Sequence, residues 1–271
     1  MYIVSNWGWR AAFIPPTVIA LIAIYVRLMC PESPYRVRTQ DRKNRIWSRQ
    51  AQGHLLSAED AAWAGAADKV GIRQLFRPDL LKNTLLSTFV ATTSVVAFST
   101  VGLWMPLFMQ QQHGWTPAEY GTFYIWWGLV DVTGICFAGW FVDKLGRRLG
   151  FTFMAIEATV CRTFWISAID KTTLFVLGVA WGVPGVWRPI TTYTAEMYPT
   201  RIRGVGNGFS WTIGFFAGYV LWPFVSVYLR ETTGSFQAAF LLIPVIMVIQ
   251  TVIIWFCSPE YARKELDEIA I

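Results

Sequence analysis

Seven apolar stretches, each close to the roughly twenty residues a helix needs to cross a bilayer, constrain this chain more than any other feature. They run approximately from Ala11 to Cys30, Thr84 to Met109, Ala118 to Val142, Leu149 to Ala168, Thr172 to Ala195, Asn207 to Leu229 and Phe236 to Cys257. Inside hydrocarbon every backbone N–H and C=O has to be satisfied within the protein, and a continuous apolar run of this length does so as a helix. The fold expected is an all-α membrane protein of about seven transmembrane helices. Composition agrees, because 54% hydrophobic against 15% charged residues is too apolar for a soluble domain of this size.

Lysine and arginine in alternate loops set the orientation. One set holds the ten basic residues between Pro31 and Asn83, then Lys144, Arg147 and Arg148, then Arg201 and Arg203, then Arg263 and Lys264. The other holds only Arg10, Lys171 and Arg230. The first set is expected on the cytoplasmic side of the plasma (inner) membrane, with the carboxyl terminus inside. The same loops account for the net charge of +6, so no nucleic-acid partner is called for. No cleavable signal is expected after Met1, whose neighbourhood is neutral and Trp-rich. Cys30, Cys136, Cys161 and Cys257 lie far apart in apolar runs and read as packing residues; no metal site or cofactor is expected.

The first and last spans look alike. Ala11, Ala12, Phe13 and Cys30 align with Ala238, Ala239, Phe240 and Cys257 at one constant offset, and PESP follows the first as SPEY follows the last. Placed six spans apart, such a repeat fits two parallel six-helix halves related by an axis along the membrane normal. The expected organisation is 1–30 as the last helix of an amino-terminal half, 31–83 as a cytoplasmic inter-half loop, 84–257 as a six-helix carboxyl-terminal half and 258–271 as a cytoplasmic tail. The first five spans of the missing amino-terminal half would then be a partner. Within the loop, Ser57 followed by Asp60 caps an Ala-rich surface helix. The basic run from Arg36 to Arg49 is read first as a solvated linker and second as an anionic-lipid site.

Between the third and fourth stretches stands GWFVDKLGRR, Gly139 to Arg148. An acid at a helix end, a turn glycine at Gly146 and paired arginines suit a tight hairpin, and Gly139 leaves room for a neighbouring backbone. The stretch resembles the GxxxD(K/R)xGR(K/R) signature of the major facilitator superfamily. PESPYR at Pro31, AEMYPTRIRGVG at Ala195 and SPEYARKELDEI at Ser258 resemble signatures of its sugar porters and related metabolite symporters. The resemblance implies a partial major facilitator fold and a cytoplasmic gate built on salt bridges. The matching positions are Glu32, Gly139, Asp143, Lys144, Gly146, Arg147, Arg148, Glu196 and Arg203. The plainer reading is that these loop charges only set topology. The span from Thr84 lacks the amide-rich QQxSGxN of sugar porters, so a hexose is not expected. GVWRPITTYTAEMYPTRIRG looks instead like metabolite and aromatic-acid proton symporters, although these often lack a basic residue where Arg188 stands.

Four charges fall inside the spans: Asp131, Glu157, Arg162 and Arg188. Each costs about 2.5–3.5 kcal/mol to insert, so such groups face a cavity and pair with one another. Counting depth along the helices matches Asp131 with Arg162 and Glu157 with Arg188 as intramembrane ion pairs. On the resemblance, Arg188 is the candidate for gripping a substrate carboxylate, Asp131 and then Glu157 for proton coupling, and Trp127, Trp181 and Trp187 for stacking on substrate. The structural alternatives are fixed ion pairs and aromatic packing. Gly178, Gly182, Pro184, Gly185 and Pro189 should kink the span that holds Arg188. Trp104, Trp115 and Trp222 read as interfacial belt residues.

These expectations add up to secondary transport of a small organic anion or metabolite, coupled to protons, by alternating access in the lipid bilayer. The alternative is a truncated, non-transporting or regulatory half-transporter. A seven-helix receptor would match the span count but leaves the signatures unexplained. Enzymatic activity has no support, since His54 and His113 stand apart from any nucleophile or metal-ligand group.

Overall fold

A computed structural model describes residues 7–31, 34–61, 71–180, 187–200 and 202–257. The chain divides into two compact units, Met1–Val70 and Gly71–Ile271.

In the first unit a 3-10 turn, Trp9–Phe13, leads into α1, Ile14–Met29. Pro15 and Pro16 open α1, where no intrahelical N–H is needed. α1 has 16 residues, fewer than the span expected, because the 3-10 turn takes its first residues. The basic run after it is helical, forming α2, Pro34–Ala51. Arginine, lysine and glutamine are good helix formers, and no glycine interrupts the run until Gly53, whose φ of 72° ends it. The expected cap follows, with Ser57 Oγ accepting the Asp60 N–H at 3.1 Å. The remainder of that surface helix lies outside the described residues.

The second unit carries the long helices. α3, Pro78–His113, starts with proline and Asp79 in its first turn and stops at Gly114 in the left-handed conformation. α4, Pro117–Leu145, begins with a complete capping box between Thr116 and Glu119. Gly146 ends it and α5, Arg147–Ser167, follows at once. α6, Lys171–Ala180, and α7, Trp187–Glu196, cover the two ends of the fifth expected span. Trp181 and the kink expected at Gly182, Pro184 and Gly185 lie outside the described residues. α8, Arg203–Phe216, passes through a π-helical segment, Ala217–Leu221, into α9, Trp222–Thr233; α10, Gln237–Cys257, completes the order. Five described helical runs are long and apolar enough to cross a membrane: α3, α4, α5, the run from Arg203 to Thr233, and α10. The described residues hold no strand, and the chain is an all-α membrane protein.

Small residues let α3 and the α8–π run meet backbone to backbone. A Cβ on Gly214 would stand 3.0 Å from the Ala91 carbonyl carbon, and one on Gly218 2.9 Å from that of Val95. Membrane helices gain association by this kind of close packing. Two indoles tie the same helices further along: Trp104 Nε1 donates to Ser226 Oγ at 2.8 Å and Trp222 Nε1 to Thr100 Oγ1 at 2.6 Å. These tryptophans are therefore interhelix ties, not the belt residues expected, and Trp115 is 5% exposed inside an aromatic cluster. The cysteines also differ from expectation. Cys30, Cys136 and Cys257 are exposed in this chain, and Cys161 is half-buried, donating to Glu157 Oε1.

Candidate functional site

The hairpin at Gly146 brings the charges of the GWFVDKLGRR stretch to one end of the second unit. Gly146 has φ 94° and ψ 158°, a region essentially reserved for glycine, and its N–H bonds to the Val142 carbonyl at 3.0 Å. The chain thereby reverses within a single residue, which sets Asp143 and Arg147 on adjacent helix ends. The close approach expected at Gly139 is made instead at Gly150. A Cβ there would lie 2.9 Å from the Val142 Cα, whereas nothing among the described residues comes within 4 Å of one at Gly139.

Arg147 is the centre of the cluster. Its Nη2 donates to Glu196 Oε1 at 2.7 Å and its Nε to Glu196 Oε2 at 3.1 Å, so the guanidinium and carboxylate meet through two parallel bonds. A third donor, Nη1, goes to Asp143. The Arg147 and Glu196 side chains are 14% and 13% exposed, against 69% for Asp143, so the inner pair is shielded while the outer one faces solvent. Charge-assisted bidentate pairs are among the strongest protein hydrogen bonds and fix geometry as well as charge.

The other matched positions divide. Lys144 turns outward, with its Nζ over the Trp140 ring at 4.9 Å from the centroid. Arg148 is half-buried. Among the described residues Arg203 does not join the carboxylates; its Nε donates to the Tyr198 carbonyl at 3.3 Å and so braces the turn after Glu196. Glu32 lies outside the described residues.

Buried hydroxyls hold that turn, and sequence reasoning did not single them out. Ser87 Oγ lies 2.6 Å from Tyr198 Oη, and Ser210 Oγ 3.0 Å from the same phenol, joining α3, the turn and α8. Asn83 Nδ2 donates to the Met197 carbonyl at 2.8 Å. Thr194 donates to Asn207 Oδ1 at 2.9 Å and accepts from Trp211 Nε1 at 3.0 Å. Gly206 fits under the Tyr198 ring, where a Cβ would come within 2.5 Å. Glu196 is thus presented to Arg147 by a segment anchored on both sides. A serine or threonine within an apolar span is the signal available in sequence, but partner choice depends on helix rotation.

Deeper in the helices, Glu157 and Arg162 lie on α5 within range of each other's charge. Depth counting along the sequence matches Glu157 with Arg188 and Asp131 with Arg162. Arg188 and Trp187 belong to α7, and their side chains lie outside what is described. Asp131 is half-buried on α4. Trp127 is half-buried, with its ring packed edge-on against Tyr124 at 5.4 Å. No group of three or more metal-ligating side chains occurs among the described residues.

The chain matches the Major Facilitator Superfamily family model over residues 1–124 and 88–269. It is similar to the niacin transporter NiaP of Acinetobacter baylyi, 22% identical over 100% of this chain and 63% of that protein. It is also similar to the cis,cis-muconate transport protein of the same organism, 23% identical over 79% of this chain and 48% of that protein. A third relative is the inner membrane metabolite transport protein YhjE of Escherichia coli, 22% identical over 84% of this chain and 49% of that protein. The chain thus spans about half to three-fifths of the length of these relatives. With the hairpin signature, the helical fold and the family match in agreement, the chain belongs to the major facilitator superfamily.

Proposed function

We propose that this chain supplies the last helix of one half and the whole of the other half of a proton-coupled secondary transporter for a small organic anion, working by alternating access. The observation that carries the reading is the shielded Arg147–Glu196 pair. It joins the Gly146 hairpin to the end of α7, the helix that also bears Arg188. A salt bridge that closes helix ends in one arrangement and must open in another is a bistable element of the kind alternating access requires. This end is cytoplasmic, and the cluster, with Arg203 behind the turn, acts as the inner gate.

Cargo recognition falls to Arg188, whose planar guanidinium suits a carboxylate, with Trp127, Trp181 and Trp187 offering aromatic surface. Relatives named for niacin and cis,cis-muconate, both small unsaturated carboxylates, support this class. Asp131 and Glu157 are the carboxyls that take up and release the coupled proton, since a carboxyl in a low-dielectric cavity beside an arginine is balanced between its two protonation states.

Uptake into membrane vesicles tests the reading, with the chain expressed alone and together with a complementary amino-terminal half. Aromatic and aliphatic carboxylates are offered with and without an imposed proton gradient. Gradient-dependent uptake in the paired arrangement, lost on Arg188→Gln while membrane insertion is retained, is the expected result. Normal uptake by Arg188→Gln would remove Arg188 from the site, and no uptake in either arrangement would overturn the transport reading.

A further inference from the structure

We infer that α2 lies in the membrane interface and binds anionic lipid headgroups of the cytoplasmic leaflet. The helix carries six basic residues against one acid, Asp41. Its first residue is five positions after the end of α1, which at most about 3.6 Å per residue keeps its start within about 18 Å of the end of that apolar helix.

The two faces of α2 differ in what occupies them. One is already taken by its own chain: Ile46 is 2% exposed, Arg42 donates to Glu59 at 2.9 Å and to Asp60 at 3.0 Å, and Arg49 stands 3.9 Å from Asp60. At about 100° per residue, Trp47, Asn44, Gln40 and Val37 project from the other face within roughly 80° of one another. Trp47 is 50% exposed and Val37 45% exposed. Lys43 borders this strip on one side, with its Nζ over the Trp47 ring at 4.4 Å, and Arg45 and Arg38 border it on the other. None of these three cations has a carboxylate within ion-pair distance among the described residues.

An exposed tryptophan and valine flanked by unmatched cations is the pattern of a helix lying in the headgroup plane. Glu59 and Asp60 neutralise Arg42 and Arg49, whereas Asp41, exposed between the strip and Arg45, offsets one of the three bordering cations and leaves the outward face with a net positive charge. Charge complementarity therefore selects a negative surface, and an anionic leaflet beside the end of α1 offers one. Each basic residue at such a surface strengthens partitioning about fivefold. The inference rests on the cytoplasmic placement of this segment, but not on transport.

The test uses the full chain with its four cysteines replaced by alanine and a nitroxide on Asn44→Cys, reconstituted into phosphatidylcholine vesicles with or without phosphatidylglycerol. Collisions of the label with oxygen and with a water-soluble nickel chelate report its depth. The expected result is shielding from the chelate in the anionic vesicles only, reversed by high salt. Arg38→Gln with Arg45→Gln, which preserves helix propensity, should weaken docking by about fivefold per arginine. A label equally open to the chelate in both vesicles overturns the inference. So does a label equally shielded in both, or one unaffected by the double substitution, since either means that something other than anionic lipid covers this face.

Discussion

Arg147 and Glu196, on helices that begin and end at the same edge of the second unit, meet through two parallel hydrogen bonds of 2.7 and 3.1 Å. Removing one partner strands the other in a shielded site. Arg147→Ala is expected to destabilise the unit by about 3–5 kcal/mol, and replacing both residues with apolar ones should recover much of that loss. Denaturant titration of the single and paired variants measures the difference. Arg147→Lys should fall between, because an ammonium keeps the charge but not the fork.

Gly146 is the one hinge between α4 and α5. At φ 94° any side chain is strained, so Gly146→Ala should cost about 1–3 kcal/mol, read as a lowered unfolding midpoint. Gly139→Ala meets open space among the described residues and should leave that midpoint unchanged. A loss of uptake by Gly139→Ala in the paired arrangement would then report on the other half.

Gly218 sits where α3 comes closest. A valine there would press on the Val95 backbone, which cannot give way as a flexible side chain does, and overpacking of about 1–3 kcal/mol is expected. Gly204→Val, facing open space, is the matched control.

The indole ties are modest by comparison. A double-mutant cycle on Trp104→Phe and Ser226→Ala should return a coupling of about 0.6 kcal/mol, the average for interhelical hydrogen bonds in a membrane. Coupling indistinguishable from zero would mean that Trp104 acts through packing alone.

Asp60 gives the first unit a pH dependence. The Arg42 guanidinium, first among its partners, holds the carboxyl below its ordinary value, and the Ser57 hydroxyl adds to this. A depressed carboxyl contributes stability above its unfolded pKa and loses it as pH falls through the folded one. The clasp between α2 and the Ser57 cap should therefore be intact at neutral pH and open only in acid, below the ordinary aspartate value of about 3.9. A pair of spin labels at positions 44 and 58 should show the separation widening there, and Asp60→Asn should show it already widened at neutral pH.

The helices were legible because apolar runs of fixed length leave hydrocarbon few alternatives, and Gly146 was legible because a hairpin between two spans needs such a residue. The Arg147–Glu196 pairing could be approached only as a set of charges at one level, since sequence depth says how high a residue sits and not which way it turns. For the same reason the Ser87–Tyr198 bond and the two indole ties were invisible. Trp104 and Trp222 stand near span ends, and only helix rotation distinguishes a tryptophan turned to lipid from one turned to Ser226 or Thr100. α2 was missed for a different reason. Its density of charge hid a sequence with good helix propensity throughout, and apolar periodicity is a poor guide where few residues are apolar.

The π-helical segment Ala217–Leu221 also says something about how this chain tolerates change in length. A π turn holds one residue more than an α turn while keeping the flanking stretches in phase. A deletion in most other turns of the run from Arg203 to Thr233 would rotate everything beyond it by about 100°, pulling Trp222 and Ser226 off their partners on α3. Deletion of one residue within 217–221 instead restores ordinary i to i−4 bonding and leaves both ends facing as before. In family members whose helices differ by a single residue from this one, this turn is where the gap should fall.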